Sequence, residues 1–426
     1  MNPKLLSHLR SLRRRGPLIL LDSQSACHPA SQKSYLAAVP DARIEAFGNQ
    51  VTLCHPDGTR EQMEADPWEA LKRFRASYPG WHFGWLGYDL KNFTEKLTSG
   101  NPDPVNLPDL FFIRPTELFR IDAASRSIHA LMGNRVPPGE QGEAQPFKVA
   151  NLQSDYHEAE YLALVDQARH YIKEGDFYEI NLSHQLRADF TGDSLDLYTS
   201  MRRRGPVPFG AYVHGAGFSI CCASPERFLC KKGTRLLSEP IKGTIRRGSS
   251  QQEDLLLKKE ILDSVKNRAE NLMIVDLVRN DLSRIAKAGT VHTGKFYELQ
   301  TFNTLHQMVS AVTAEMGETI DAVDAIKACF PMGSMTGAPK IRSMEVIEQL
   351  ESRKRGIYSG AIGYFTPDDD FDLNVVIRTA VVKGDKLYYS IGGAITADSV
   401  PLDEWEETWV KARALTSFTG EMNYDV

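Results

Sequence analysis

Long apolar runs are missing from this sequence. None of its 426 residues belongs to an uninterrupted stretch of about 18 apolar residues, the length that a membrane-spanning helix needs. The N-terminal segment, residues 1–23, is basic, but polar residues interrupt its apolar run, which is not typical of a targeting segment. We therefore expect an untargeted, cytoplasmic chain with no membrane partner.

Cysteine and histidine patterns are also absent. The six cysteines show no C-x-x-C spacing and the eleven histidines form no H-x-x-x-H pair, which excludes the common zinc motifs and a disulfide framework. The pattern is typical of a reducing compartment. The net charge of -5 gives no basic excess, so nucleic acid is not an expected partner.

One segment divides the chain. Residues 133–147, "GNRVPPGEQGEAQPF", are rich in Pro, Gly and Gln and show no hydrophobic period. This composition predicts an N-terminal region over 1–133, a linker over 134–153 and a catalytic region over 154–420.

Strand-like segments alternate with separate helices along the chain. Turns such as "KKG" and "KGDK" predict hairpins and hence antiparallel strands. The first predicted helix is capped by Ser154 or Asp155 and ends at Gly175. Helices are expected over 154–174, 253–287, 320–329, 339–352 and 401–418. Antiparallel strands with separate helices indicate the α+β class.

Three glutamates are candidate ligands of a hard cation. Glu270 lies in the apolar stretch "ENLMIVDL", where a buried carboxylate needs a cation nearby. Glu404 and Glu407 are three residues apart and share a helix face, as ligands of a hard cation can. Both observations have a simpler alternative, which is surface ion pairing of Glu270 with Lys266 and of Glu407 with Lys411.

Two further segments are candidate anion sites. In "GSMTGAPK" the amides around Thr336 and Gly337 precede a helix and can face a carboxylate or phosphate, or the turn can simply begin a helix without a ligand. Arg378 lies in the apolar stretch "FDLNVVIRTAVV", where an inward guanidinium suits a carboxylate and an outward one only aids solubility. Gly392 and Gly393 would let backbone amides approach the same ligand.

The order of the motifs identifies a family. "SPERF", "PIKGT", "RAENLMIVDLVRNDL", "GSMTGAPK", "GAIGYF" and "IGGAITADS" with "DEWEET" together resemble the chorismate-utilising enzymes. The resemblance is strong over 154–419 and weaker in "LILLDS" and "GWLGYDL" of the N-terminal region. It implies a sandwich of two large antiparallel sheets with helices outside, and a Mg²⁺-dependent reaction of chorismate.

The resemblance also implies roles for particular residues. Glu270 and Glu407 would bind Mg²⁺, with Glu404 and Asn267 around them, although Asn267 departs from the acidic residue usual in the family. Ser23 of "LLDS" resembles a residue of the family's tryptophan pocket. The contacts to chorismate would come from Thr336, Gly337, Lys340, Tyr364, Arg378, Gly392 and Gly393.

Two positions indicate the reaction within the family. Members that add water carry a lysine where this chain has Glu179, so water addition is disfavoured. Anthranilate synthases typically have "PIAGT" where this chain has "PIKGT", and the lysine form is similar to the component I group of aminodeoxychorismate synthases. That resemblance implies a covalent bond from Lys242 to the substrate, with Glu226 as general acid and base.

Alternatives remain for Lys242 and for the whole chain. A lysine in such a loop is most often solvated, because lysine is almost never buried without a partner. Anthranilate synthase component I is the alternative enzyme, and a silent tryptophan-binding relative is the alternative of another class. Only seven residues follow Thr419, so we expect ammonia to come from solution or from a separate glutamine amidotransferase subunit in a heterodimer.

Overall fold

The computed structural model describes residues 1, 3–24, 33–122, 125, 127–133, 146–294, 296–302 and 305–419. Its helices are α1 (Pro3–Arg13), α2 (Pro67–Ser77), α3 (Glu158–Glu174), α4 (Ser194–Arg204), α5 (Gln251–Asp263), α6 (Val265–Ser283), α7 (Ala322–Cys329), α8 (Lys340–Leu350) and α9 (Pro401–Thr416). Short 3₁₀ helices span Tyr88–Phe93 and Gly333–Met335. Within these residues, no helix has the length and apolar character required to cross a membrane.

The strands account for most of the remaining regular structure. They are β1 (Leu18–Asp22), β2 (Lys33–Phe47), β3 (Gln50–Cys54), β4 (Arg60–Glu64), β5 (His82–Leu86), β6 (Leu110–Asp122), β7 (Ile128–Met132), β8 (Lys148–Ser154), β9 (Glu179–Thr191), β10 (Phe209–Gly215), β11 (Phe218–Ser224), β12 (Arg227–Lys232), β13 (Arg235–Glu239), β14 (Ile241–Arg246), β15 (His292–Thr293), β16 (Glu298–Thr301), β17 (Leu305–Val309), β18 (Val312–Glu315), β19 (Gly337–Ala338), β20 (Ala361–Phe365), β21 (Phe371–Asn374), β22 (Thr379–Lys383) and β23 (Lys386–Ile395). Of the predicted linker, 134–145 lie outside the described residues, and 148–153 belong to β8.

The strands are antiparallel, as predicted, but they do not form two separate sheets. Twenty of them belong to one hydrogen-bonded sheet, and β14, β17 and β16 form a small second one. The reason is the length of β2, which pairs with β1 through its first part and with β3 through its last part. Its register with β6 shifts between Pro40 and Ala42. One long strand thus joins layers that the sequence suggested were separate, while the α+β class is confirmed.

Two helix predictions need correction. Helix α3 begins at Glu158 rather than at 154, because the backbone N–H of His157 donates to the Glu160 side chain in a capping box. Asp155, the predicted cap, instead accepts from the backbone N–H of Gln185 and from Arg353. The predicted end is correct: Gly175 caps α3 with a φ of 88°.

The predicted helix over 253–287 is two helices. Ser264 adopts an extended conformation, ends α5 and caps α6 by accepting from the backbone N–H of Asn267 at 3.2 Å. The apolar face of α6 then packs into the largest core cluster through Ile274, Val278 and Leu282. Glu270 lies one turn before Ile274 on that buried face. Packing of α6 therefore holds this carboxylate against the sheet.

Candidate active site

Lys242 is a buried residue of the small sheet. It lies on β14, at a register shift between Ile241 and Thr244, and is 8% exposed. Its ammonium donates to the carboxylate of Glu179, which opens β9 and is 1% exposed. Gly243 permits the turn of the strand, with a φ of 88°. The solvated-loop alternative is therefore wrong.

Three carboxylates control the charge of Lys242. Burial acts to lower the pKa of Lys242, but the charges of Glu179, Glu270 and Glu226 outweigh burial and raise the pKa. The resting lysine is consequently an ammonium, although attack on a ring carbon requires the neutral amine. A reaction at its nitrogen requires a proton acceptor, and Glu179 is in contact with it.

Glu226 is set up to carry a proton. It lies between β11 and β12, is 5% exposed, and accepts a hydrogen bond of 2.7 Å from the Ser334 hydroxyl. Burial raises the pKa of Glu226 to about 7, against the lowering effects of Ser334, Lys242 and Arg378. A carboxyl group that is substantially protonated near neutral pH can act as a general acid.

The acidic cluster joins helices α6 and α9. Lys266 Nζ lies 4.0 Å from Glu270 Oε1 and 3.7 Å from Glu404 Oε1, so both carboxylates share one ammonium. Burial raises the pKa of Glu270 and of Glu404. Glu407 is more exposed and pairs with Lys411 at 2.7 Å, and Lys411 lowers its pKa. The ion pairs of Lys266 with Glu270 and of Lys411 with Glu407 are therefore both present. Lys266, however, also pairs with Glu404 on a second helix.

The donor chemistry of this cluster fits a divalent hard cation. Its ligands would be carboxylate oxygens, and Glu270 Oε1 is buried without a hydrogen-bond partner. The described residues contain no set of three or more acidic, His or Cys side chains already arranged around one point. Glu270, Glu404 and Glu407 together could hold Mg²⁺, leaving the other positions to substrate and water. Asn267 lies against Gly243, beside the lysine strand.

The "GSMTGAPK" turn is packed closely onto strand β9. A Cβ at Gly337 would lie 2.2 Å from the Glu179 carbonyl oxygen, so glycine is required there by the backbone neighbour. The Thr336 hydroxyl is fully buried and donates within its own turn, to Met332 and Gly333 carbonyls. The turn therefore positions Ser334 beside Glu226, while its contact with a substrate carboxylate stays a prediction.

Lys340 is placed differently from the prediction. Its ammonium pairs with the buried Asp281 and donates to the Cys329 carbonyl at 3.0 Å. Removing it from Asp281 would leave a buried carboxylate without a partner, which is costly. The structure thus gives Lys340 a role in holding α8 to α6 rather than a free ammonium for chorismate.

Arg378 and the glycine pair border the site. Arg378 is not inside a strand but in the break between β21 and β22, with a φ of 51°. It lines a cavity of about 80 Å³ together with Pro225 and Gln307. A Cβ at Gly393 would lie 3.5 Å from Glu404 Oε2, so this glycine faces the acidic cluster, whereas Gly392 is packed against β9.

Tyr364 and Ser23 lie elsewhere. Both line a cavity of about 400 Å³, which shares no lining residue with a cavity of about 20 Å³ lined by Glu226, Pro240 and Ser334. The Tyr364 ring packs 5.1 Å from the ring of Tyr35 in that larger cavity. The structure does not bring Tyr364 to Lys242, which corrects the proposed substrate contact. The assignment of Ser23 to an amino-acid pocket stays a prediction.

Sequence reasoning missed two contacts of the site. Ser334 lies inside the "GSMTGAPK" motif, where a hydroxyl between glycine and methionine in a buried turn is a signal for a polar partner. Glu179 distinguishes this chain from the members that add water, but the motif comparison assigns it no contact. Its position at the start of the buried strand "EINLSHQL" required a cation, and Lys242 supplies it across a sequence separation of 63 residues.

Comparisons with known proteins place the chain in one family. A family model described as chorismate binding enzyme matches residues 16–417. Anthranilate synthase component 1 of Cereibacter sphaeroides is 36% identical over 360 residues, covering 78% of this chain and 72% of the relative. Aminodeoxychorismate synthase of Streptomyces griseus is 43% identical over 304 residues, covering 70% of this chain and 42% of the relative. The crystal structure of anthranilate synthase component I from Streptococcus pneumoniae TIGR4 has a TM-score of 0.81 and 28% identity, covering 90% of this chain and 92% of that chain.

The fold and the site define a chorismate-utilising enzyme with the architecture of anthranilate synthase component I. The chain belongs to the chorismate-binding enzyme family. Relatives with the names aminodeoxychorismate synthase and anthranilate synthase component 1 are both similar to it, at 43% and 36% identity. Sequence identity alone therefore does not distinguish between the two reactions, and residues of the site must be used instead.

Proposed function

We propose that this chain is component I of an aminodeoxychorismate synthase, which converts chorismate and ammonia to 4-amino-4-deoxychorismate for para-aminobenzoate and folate synthesis. The observation that carries the proposal is the buried ammonium of Lys242 beside Glu179 and near Glu226. A lysine buried among carboxylates is a candidate nucleophile once one of them takes its proton. Replacement of the C4 hydroxyl with retained configuration needs two displacements, and a lysine provides the first.

The first displacement begins with a proton transfer. The Lys242 ammonium gives a proton to the Glu179 carboxylate, and the neutral amine forms a bond to C2 of the ring. The two ring double bonds shift, the C4–O bond breaks, and the protonated Glu226 donates its proton so that water leaves. Charge is conserved because the lysine nitrogen regains its positive charge in the adduct.

The second displacement returns the enzyme to its starting state. Ammonia forms a bond to C4, the double bonds shift back, and the C2–N bond to Lys242 breaks. The departing amine recovers its proton from Glu179, while the new C4 ammonium returns one to Glu226. Arg378 and the backbone near Gly393 would hold the substrate carboxylates during both steps. A bound Mg²⁺ would neutralise the ring carboxylate and fix the orientation of the ring.

The identity of the product tests this function against its alternative. Purified chain with chorismate, Mg²⁺ and ammonium should give a product whose mass and ultraviolet spectrum match 4-amino-4-deoxychorismate. Anthranilate, with the amine ortho to the carboxylate, would instead identify anthranilate synthase component I. The "PIKGT" motif and Lys242 favour the first outcome.

The nitrogen source gives a separate prediction about the partner. With excess ammonium the purified chain should aminate chorismate, because the NH₃ in equilibrium with ammonium is the nucleophile, whereas glutamine alone should support no turnover. We propose that a separate glutamine amidotransferase subunit releases ammonia from glutamine in the complete enzyme. Turnover with glutamine as the sole nitrogen source, in a preparation free of other proteins, would contradict this division.

The acid role of Glu226 predicts a pH dependence. In the absence of ammonia, formation of the Lys242 adduct should decline as pH rises through about 7, because Glu226 then loses the proton that the leaving hydroxyl needs. The Ser334 hydrogen bond lowers the pKa of Glu226, so Ser334→Ala should move the decline to higher pH. Ser334→Thr retains a hydroxyl and should keep the parent profile. An unmoved decline in Ser334→Ala would show that Glu226 is not the titrating acid.

A further inference from the structure

Lys266 bridges two helices at the acidic cluster. It is the second residue of α6, and its side chain is 53% exposed, whereas the side chains of Glu270 and Glu404 are 11% and 3% exposed. An exposed lysine would normally extend into water to keep its conformational freedom. This one points its ammonium towards two buried carboxylates on different helices.

The cluster needs a cation in the absence of metal. Burial is the main cause of the raised pKa of Glu270; the charges of Glu179 and Glu404 add to it, and those of Lys242 and Lys266 oppose it. Glu407 adds a third negative charge, but its neighbour Lys411 is already engaged with Glu407 and with the Gly392 carbonyl. Lys266 is therefore the ammonium within 4 Å of both Glu270 and Glu404 among the ion pairs of the described residues.

We propose that Lys266 is a built-in counter-ion of the metal-free site, which a divalent cation must displace from Glu270 and Glu404. The inference rests on the proposed Mg²⁺ site, but not on which amination the enzyme performs. An ammonium and Mg²⁺ at the same pair of carboxylates repel each other. Lys266 thus lowers the affinity for free Mg²⁺ and keeps the two helices together until the metal arrives.

The test compares two lysine-to-methionine variants without chorismate. Calorimetric titration with Mg²⁺ should show about tenfold tighter binding by Lys266→Met than by the parent, since one competing charge near the site is gone. Lys287→Met is the matched control, because it removes the same charge from a surface pair with Glu318. Lys287→Met should bind Mg²⁺ like the parent. Lys266→Arg, which keeps the charge, should also stay close to the parent.

A second readout tests the role of Lys266 without metal. Thermal unfolding of Lys266→Met should begin at a lower temperature than that of the parent in chelator, and the difference should shrink in saturating Mg²⁺. Equal or weaker Mg²⁺ affinity in Lys266→Met would overturn the proposal, and so would a lack of Mg²⁺ binding by every variant. An ortho product in the amination assay would overturn the proposed function and leave these titrations unaffected.

Discussion

Lys242→Ala is expected to lose para-amination of chorismate by roughly a thousandfold or more, because a covalent nucleophile is removed rather than a supporting contact. Chorismate should still bind, since Arg378 and the acidic cluster are untouched. The measurement is the initial rate of 4-amino-4-deoxychorismate formation with ammonium, together with the dissociation constant of chorismate in the presence of Mg²⁺.

A second variant separates chemistry from folding. Alanine leaves the buried Glu179 carboxylate without its cation, which can destabilise the protein. Lys242→Arg keeps a positive charge for Glu179, but its guanidinium does not lose a proton and cannot act as the nucleophile. It should fold like the parent and be as inactive as Lys242→Ala. If both variants formed 4-amino-4-deoxychorismate at the parent rate, the role of Lys242 would be purely structural.

The second large effect is expected at the acidic cluster. Glu270→Gln and Glu407→Gln should each weaken Mg²⁺-dependent chorismate binding by roughly 10- to 100-fold, because each variant removes one negative ligand from the cation. Equilibrium binding of chorismate should be measured across a range of Mg²⁺ concentrations. The fold should persist, since glutamine preserves the size of each side chain.

A neighbouring glutamate provides the control for that experiment. Glu406 lies next to Glu407 on α9 and is exposed, but it is not part of the cluster. Glu406→Gln makes the same chemical change and should leave both chorismate binding and its Mg²⁺ dependence at parent values. If Glu270→Gln and Glu407→Gln behaved like this control, the assignment of the metal to these helices would be wrong.

The sequence predicted those parts of the site that lie within one segment. The pairing of Glu404 and Glu407 on one helix face follows from their spacing, and the end of α3 at Gly175 follows from glycine's freedom to adopt a positive φ. The break at Ser264 was missed because the apolar pattern continues on both sides of it. The extended backbone of Ser264 and the hydrogen bond from the Asn267 backbone N–H to the Ser264 hydroxyl mark the start of the new helix.

Contacts between distant segments could not be predicted in the same way. The ion pair of Lys242 with Glu179 and the sharing of Lys266 by Glu270 and Glu404 depend on how β9, α6 and α9 are packed. Tyr364 belongs to the motif "GAIGYF", one of those that identify the family. Its side chain nevertheless lines another cavity, because the direction of a side chain depends on how its strand is packed. The order of the motifs was sufficient to identify the family. The direction of each side chain, and therefore its contacts, could be seen only in the structure.

The most direct test of the central claim is the intact mass of the protein after incubation with chorismate and Mg²⁺ without ammonia. We expect a species heavier by chorismate less water, which peptide mapping locates on Lys242. It should be absent from Lys242→Arg and should be converted to 4-amino-4-deoxychorismate when ammonium is added. The covalent role of Lys242 would be contradicted by two results together: formation of the para product with no such species, even after rapid quenching, and full activity of Lys242→Arg.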